Sequence, residues 1–116
     1  ELGIAQNVVT FTQSDFGRTL TSNGDGTDHA WGGVQFVAGG PVQGGRIVGT
    51  YPLLKVGAIR ATDGADDVGA GRFIPTLSSD QYAATLARWF GLSDGNLVRI
   101  APAINNFSQR DLGFLV

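Results

Sequence analysis

The stretch VVTFTQSDFGRTLTSNGDGTDHAWGG, residues 8–33, decides the predicted fold, because an apolar, β-branched run passes directly into a polar, glycine-rich segment. The run from Val8 to Thr12 predicts a buried strand over residues 7–13. Residues 14–33 predict a long polar loop, and loops of this length in compact domains usually carry function. Open α/β sheets place their sites where strands end in such loops. A chemical centre is therefore expected in this stretch.

Two further strands are predicted downstream. Residues 34–38 (VQFVA) form a second apolar run, closed by glycines, and residues 46–50 (RIVGT) form a weaker third one. Residues 51–72 hold few apolar positions and end in an acidic, glycine-rich run. That composition predicts a surface excursion rather than a core element.

A helix is predicted over residues 79–90. Ser78 and Gln81 have the spacing of a capping box, and Gly91 fits the residue that follows a helix C-terminus. One helical face carries apolar side chains at i, i+4 and i+7/i+8, namely Tyr82, Leu86, Trp89 and Phe90. Packing in the core explains this face better than a platform for stacking sugars. The predicted fold class is α/β, with a small, mostly parallel sheet and this C-terminal helix on one face, in a single domain or domain fragment of residues 1–116.

The last part of the chain predicts a second, short helix and an apolar tail. Ser93 and Asp94 are suited to begin a helix that continues to about residue 100 and stops near Pro102. Residues 112–116 (LGFLV) are apolar and are expected to pack on another part of the protein.

Composition limits the classes of partner. The chain has 116 residues and a net charge of −2 without a basic stripe, which argues against a nucleic-acid partner. No run approaches the roughly 18 apolar residues of a membrane span. Cysteine is absent, so thiolate catalysis and zinc-finger chemistry are excluded. Residue 1 is Glu rather than Met, and the opening residues are typical of the inside of a longer protein.

Asp28 and His29 are the first candidate site residues. Carboxylate and imidazole are ordinary ligands of Zn, Mn or Fe, and such sites usually need three or four groups. His29 is the only histidine, and it could also serve as a general acid or base, because the reference pKa of imidazole is near 6.5. The alternative is a loop histidine that fixes a turn by hydrogen bonding.

Asp15 and Arg18 are the second candidate pair. An aspartate at a strand end can bind a metal, and arginine recognises anions through two parallel hydrogen bonds. With Asp28 and His29 they would make a site for an oxyanion ester. A structural Asp–Arg pair that holds the loop explains the same residues equally well.

The run NGDGTD resembles the start of a Ca²⁺-binding loop, since it places Asn23, Asp25 and Asp28 at close spacing. Val34 stands at the twelfth position, where such loops need a bidentate Glu, so a Gly/Asx turn is favoured. A second acidic turn with the same weakness contains Asp63, Asp66 and Asp67, and is expected to be solvated. Trp31 lies in the polar loop close to His29. Two roles for Trp31 remain as alternatives: it forms the wall of a pocket, or it is part of a contact surface.

Five segments, in order and spacing, resemble a large bacterial family known as domain of unknown function 1501. The similarity covers nearly the whole chain. The segments are SDFGRT (14–19), NGDGTDHAWGG (23–33), AGGPVQGG (38–45), RFIPTLSSDQYAATLARWFGL (72–92) and NNFSQRDLGFL (105–115).

Proteins of this family resemble the alkaline phosphatase and sulfatase superfamily. The resemblance implies a C-terminal part of a larger α/β domain in a periplasmic or secreted protein, with a divalent metal (Zn, Mn, Fe or Ca). It places Asp15 at one ligand position of the superfamily and Asp28 and His29 near a second, so these three are the predicted metal ligands. His29 and Arg18, by the chemistry of their side chains, are the predicted catalytic residues. Phe16 stands where an Asp-His pair of the superfamily has its histidine, which departs from the usual two-metal site.

Two accounts of function follow. In the first, the chain is the C-terminal portion of an exported, metal-dependent phosphate- or sulfate-ester hydrolase, inactive alone, whose partners are an anionic ester and the N-terminal part of its own domain. In the second, it is a non-catalytic module with a degenerate site that binds a partner or forms a homo-oligomer. A stand-alone enzyme acting on polysaccharides is a third reading, because paired carboxylates exist, but their spacing alone cannot place them across a glycosidic bond.

Overall fold

A computed structural model describes residues 2–53 and 66–116 of the chain. These residues divide into two compact units. The first unit comprises residues 2–11, 37–49 and 77–116, and the second comprises residues 12–36, 50–53 and 66–76. Asp63 and much of the surface excursion predicted for residues 51–72 lie outside the described residues.

The described part of the chain contains four short strands, one α-helix and three 3-10 helices. In chain order the strands are β1 (Val9–Phe11), β2 (Gly17–Ser22), β3 (Thr27–Ala30) and β4 (Val37–Gly39), and the helix is α1 (Ser79–Trp89). The 3-10 helices are Ala5–Asn7, Asp94–Arg99 and Ile104–Asn106. Within the described residues, no helix has the length and apolar character that a membrane crossing requires.

The predicted mostly parallel sheet is wrong. The described strands form two antiparallel pairs, β1 with β4 and β2 with β3. A parallel pair needs a crossover connection, usually a helix. The chain between β1 and β4 contains the β2–β3 hairpin instead. Residues 46–50, predicted as a third strand, form no strand.

The first unit contains the β1–β4 pair and the helical part of the chain. Val9 lies opposite Gly39, and Phe11 lies opposite Val37. A Cβ atom on Gly39 would overlap the carbonyl oxygen of Val8, so only glycine fits this register. The strand predicted over residues 7–13 is present but shorter, its pairing is antiparallel, and it is half-buried to exposed rather than buried as predicted.

Helix α1 begins and ends as its sequence predicts. The Ser78 hydroxyl accepts a hydrogen bond from the Asp80 amide (3.1 Å), and the Gln81 side chain accepts one from the Ser78 amide (2.9 Å), which completes the capping box. Gly91 has φ +102°, the left-handed conformation typical of the residue after a helix. These local signals confirm the predicted helix to within one residue.

The buried face of α1 differs from the predicted one. Gln81, Ala84 and Thr85 are buried, whereas Phe90 is 86% exposed. The core of this unit consists of Ala84 and three buried residues of the helical tail, namely Leu97, Ala101 and Ile104. The small side chains of Ala84 and Thr85 allow the 3-10 segments to approach closely, while Tyr82, Leu86 and Trp89 are half-buried.

Aromatic and polar contacts attach β1 and the tail to α1. The Tyr82 ring packs edge-on against Phe11 (6.2 Å between centroids) and lies 5.9 Å from the ring of Phe114. The Thr85 hydroxyl accepts a hydrogen bond from the Leu112 amide (2.9 Å). Leu112 and Phe114 are buried, so the apolar tail packs on its own unit, as predicted.

Candidate functional site

The segment predicted as one long loop folds as a β-hairpin. A four-residue turn, residues 23–26, joins β2 to β3. The Asn23 amide donates to the Gly26 carbonyl oxygen (3.0 Å), and the Asp25 amide donates to Oδ1 of Asn23 (3.1 Å). The second contact is an Asx turn, which confirms the turn predicted for NGDGTD.

Arg18 and His29 are brought together by this hairpin. They lie opposite each other in the ladder, and cross-strand partners project from the same face of a sheet. The His29 ring stacks on Phe16 with 3.6 Å between centroids and 14° between planes. The guanidinium carbon of Arg18 lies 5.2 Å from the centroid of the same Phe16 ring. The three residues define the Phe16–Arg18–His29 face.

The Arg18 side chain is also tied to the backbone of the neighbouring strand. Its Nη1 atom donates to the carbonyl oxygen of Thr27 (2.6 Å). Guanidinium carries five N–H donors in a planar fork, and this bond uses one of them. The bond orients the fork while Arg18 and His29 both remain exposed.

Asp28 contacts a different set of groups. Successive residues of a strand point to opposite faces, so Asp28 does not share the face of His29. Its Oδ1 accepts a hydrogen bond from Nδ2 of Asn23 (2.8 Å), and its amide donates to the hydroxyl of Thr19 (3.1 Å). Thr19 is buried, and its hydroxyl donates to the Thr21 carbonyl oxygen (2.9 Å). These contacts stabilise the turn end of the hairpin.

Asp15 lies in an exposed bend between β1 and β2. Across residues 2–53 and 66–116, no three His, Asp or Glu side chains come close enough to hold a metal ion. Of the predicted site residues, the structure joins Arg18 with His29 and leaves Asp15 and Asp28 out of that group.

A second short segment of the same unit supports the hairpin. The Thr21 amide donates to the Ala70 carbonyl oxygen (3.2 Å), and the Gly32 amide donates to the Phe73 carbonyl oxygen (3.1 Å). Asp67, from the predicted acidic turn, is buried and accepts a hydrogen bond from the Gly69 amide (2.8 Å). Asp67 therefore shapes a turn rather than lying solvated as predicted.

Only glycine fits at position 17, where the start of β2 lies against the residues that follow β3. A Cβ atom on Gly17 would overlap the carbonyl oxygen of Gly32. This close approach holds Phe16 and Arg18, the neighbours of Gly17, in place relative to β3. Replacement of Gly17 would therefore displace the Phe16–Arg18–His29 face.

Two features of the site were missed by the sequence reasoning. Phe16 was treated only as a departure from a metal-binding pattern, although it contacts both Arg18 and His29. Thr19 is not among the predicted site residues, although its hydroxyl links both strands. The Asn23-Gly24 pair is a turn signal that favours a hairpin over one long loop, although it does not fix the observed register. Trp31, left open earlier, is 67% exposed.

Comparison with known proteins gives a family but no characterised relative. The model of a family described as "Protein of unknown function (DUF1501)" matches residues 1–101. No curated protein and no solved structure matches the chain. The family match covers most of the chain, and it includes the hairpin, the Phe16–Arg18–His29 face and helix α1. The chain belongs to the DUF1501 family.

Proposed function

We propose that the Phe16–Arg18–His29 face binds the anionic group of a phosphate or sulfate ester, as the C-terminal contribution to an exported ester hydrolase. The observation that carries the proposal is the cross-strand pairing of Arg18 with His29. Both side chains are exposed, and both can donate hydrogen bonds to the oxygens of one tetrahedral anion.

Arg18 is the principal anion ligand in this proposal. Its bond to the Thr27 carbonyl oxygen fixes the side chain, which lowers the conformational entropy lost when an anion binds. The remaining donors of the fork suit two oxygens of a phosphate or sulfate group.

His29 is the proposed acid–base group. Its stacking on Phe16 fixes the plane of the imidazole, so that a ring nitrogen can be directed toward a bound ester. A histidine beside an anion ligand can give a proton to the leaving oxygen or take one from water. Phe16 acts as a positioning residue, since it contacts His29 and Arg18 and carries no polar group of its own.

The divalent metal expected from the family resemblance does not fit a site made by the described residues alone. Asp28 is hydrogen-bonded to Asn23, and His29 stacks on Phe16 on the other face. Asp15, Asp28 and His29 do not form a three-ligand group. Metal binding in the whole protein would need ligands from beyond this set, so no catalytic step is assigned to a metal.

Isothermal calorimetry with inorganic phosphate and sulfate tests the anion site. Arg18→Ala is expected to weaken phosphate binding by about tenfold or more, because hydrogen bonds to charged groups contribute about 1.5–3 kcal/mol. Arg110→Ala removes an equally charged, exposed arginine from the other unit and should leave the affinity unchanged. Equal losses in both variants would mean that binding follows net charge and would refute the site.

A second candidate function is a non-catalytic interaction module. It is favoured by the exposed apolar side chains that follow β3, namely Trp31 (67%), Val34 (56%) and Phe36 (71%). Exposed aromatic residues are enriched at protein interfaces. Sedimentation of the wild-type chain and of a Trp31→Ser/Phe36→Ser variant distinguishes this role. Self-association that is lost in the variant supports the module, and a monomer in both argues against self-association.

A further inference from the structure

The structure assigns a chemical modification to the β2–β3 turn: we infer that Asn23 is converted spontaneously to aspartate and isoaspartate. This inference is independent of anion binding. Asn23 is the one asparagine in the chain that precedes a glycine; the others are Asn7, Asn96, Asn105 and Asn106.

The reaction needs an unhindered main-chain nitrogen after the asparagine. Gly24 has φ +101°, and a Cβ atom built on it would have no neighbour within 4 Å, so the space around it is open. The Gly24 amide donates to the exposed Ser22 hydroxyl (3.1 Å) rather than to a carbonyl of the paired strand. Attack by this nitrogen therefore costs no ladder hydrogen bond.

The Asx turn prepares the side chain for that attack. Because Oδ1 of Asn23 accepts a hydrogen bond from the Asp25 amide (3.1 Å), the side-chain amide bends over the main chain on the Gly24 side. The same bond polarises the amide carbonyl and stabilises the negative charge that develops on Oδ1. The Asp28 carboxylate accepts from Nδ2, the leaving nitrogen (2.8 Å).

The chemistry is balanced by water alone. The Gly24 nitrogen attacks Cγ of Asn23, a new N–Cγ bond forms, and the Cγ–Nδ2 bond breaks. The proton from the Gly24 nitrogen leaves with the departing ammonia. Water then adds to either carbonyl carbon of the five-membered imide and opens it to aspartate or to isoaspartate. The net change is the replacement of a neutral amide by a carboxylate.

The product alters the hairpin beside the Phe16–Arg18–His29 face. The Asn23–Asp28 hydrogen bond is lost, and two carboxylates then lie together where an amide donor met a carboxylate. Isoaspartate also adds one main-chain atom to a four-residue turn, which breaks the Asn23–Gly26 hydrogen bond. Modification should therefore loosen the pairing of Thr27 and Asp28 with β2.

Peptide mapping by mass spectrometry tests the inference on the intact folded chain, incubated at mildly alkaline pH. A synthetic peptide of residues 20–30 gives the rate without the fold. We expect progressive loss of unmodified Asn23, at a rate equal to or above that of the peptide, with the other four asparagines intact. Asn23→Gln keeps the side-chain amide, but its cyclic imide would be one atom larger and forms less readily. This variant should stay unmodified at position 23.

Slower loss of Asn23 in the folded chain than in the peptide would overturn the inference, because the turn would then protect the side chain. Loss spread over the other asparagines would overturn it as well. The rate in the wild-type chain decides the matter even if the Asn23→Gln variant fails to fold.

Discussion

Arg18 lies directly opposite His29 in the β2–β3 ladder, and both side chains contact the ring of Phe16. This relationship joins two residues that are eleven positions apart in the sequence. It also separates His29 from Asp28, its neighbour in sequence, because adjacent residues of a strand face opposite sides. The candidate site is therefore an arginine–histidine pair on an aromatic ring.

Phe16→Ala should change the environment of His29 without removing it. The stacked Phe16 ring, 3.6 Å from the imidazole, shields the imidazole protons, so their NMR resonances should move downfield in the variant. His29 is the only histidine, so its signals are assigned without ambiguity. Phe36→Ala, at a residue that is 71% exposed, is the matched control. Unchanged His29 shifts in Phe16→Ala would contradict the stack.

Thr85→Val should destabilise the first unit by about 1–3 kcal/mol, because valine keeps the shape of threonine but leaves the buried Leu112 amide without its hydrogen-bond acceptor. The Thr85 hydroxyl accepts from the Leu112 amide (2.9 Å) and donates to the Gln81 carbonyl oxygen (2.8 Å). Chemical denaturation measures the change. Thr85→Ser retains the hydroxyl and should lose less stability than Thr85→Val; the reverse order would refute the role of the hydrogen bond.

Ala70→Gly should stabilise the second unit. Ala70 has φ +60°, a left-handed conformation that costs a non-glycine residue about 1 kcal/mol. The greater entropy of glycine in the unfolded chain offsets part of this, so a gain of up to about 1 kcal/mol is expected in thermal melts. Ala38→Gly, in β4, provides the opposite case and should lower stability. A loss in both variants would contradict the strain at Ala70.

Tyr82 should titrate above its ordinary range. Burial raises the pKa of the Tyr82 phenol. The chain has two tyrosines, so Tyr51→Phe leaves Tyr82 as the one phenol in an absorbance titration, and its midpoint should exceed about 10. Because the raised pKa belongs to the folded state, the associated stability is present below pH 10 and is lost as pH rises through the folded pKa. Tyr82→Phe should therefore lose less stability at high pH than the wild type, and equal losses would contradict the prediction.

Local signals in the sequence predicted the helix, whereas the pairing of strands was not predicted. The capping box of Ser78 and Gln81 and the glycine at position 91 act within a few residues of one another, so they can be read without knowledge of the tertiary fold. The run from Val8 to Thr12 indicates a strand but not its partner. The parallel arrangement was inferred from general α/β architecture, and the antiparallel pairing of β1 with β4 overturned it.

The hairpin was missed because its strands are polar. The sequences GRTLTS (β2) and TDHA (β3) lack an apolar run, so composition favours a loop. Their stabilisation comes from contacts distant in sequence, such as the Gly32–Phe73 hydrogen bond, that no local pattern reveals. Arg18 and His29 were identified as candidates by residue type, but their association through Phe16 depends on the register of that hairpin.

The most direct test of the central claim is an NMR titration of the wild-type chain with inorganic phosphate, followed through the His29 side-chain resonances. If the anion binds the Phe16–Arg18–His29 face, these resonances should shift in a saturable manner, and the response should be lost or strongly weakened in Arg18→Ala but retained in Arg110→Ala. His29 resonances that stay unchanged throughout the phosphate titration would contradict the account. The same response in Arg18→Ala as in the wild type would contradict it as well.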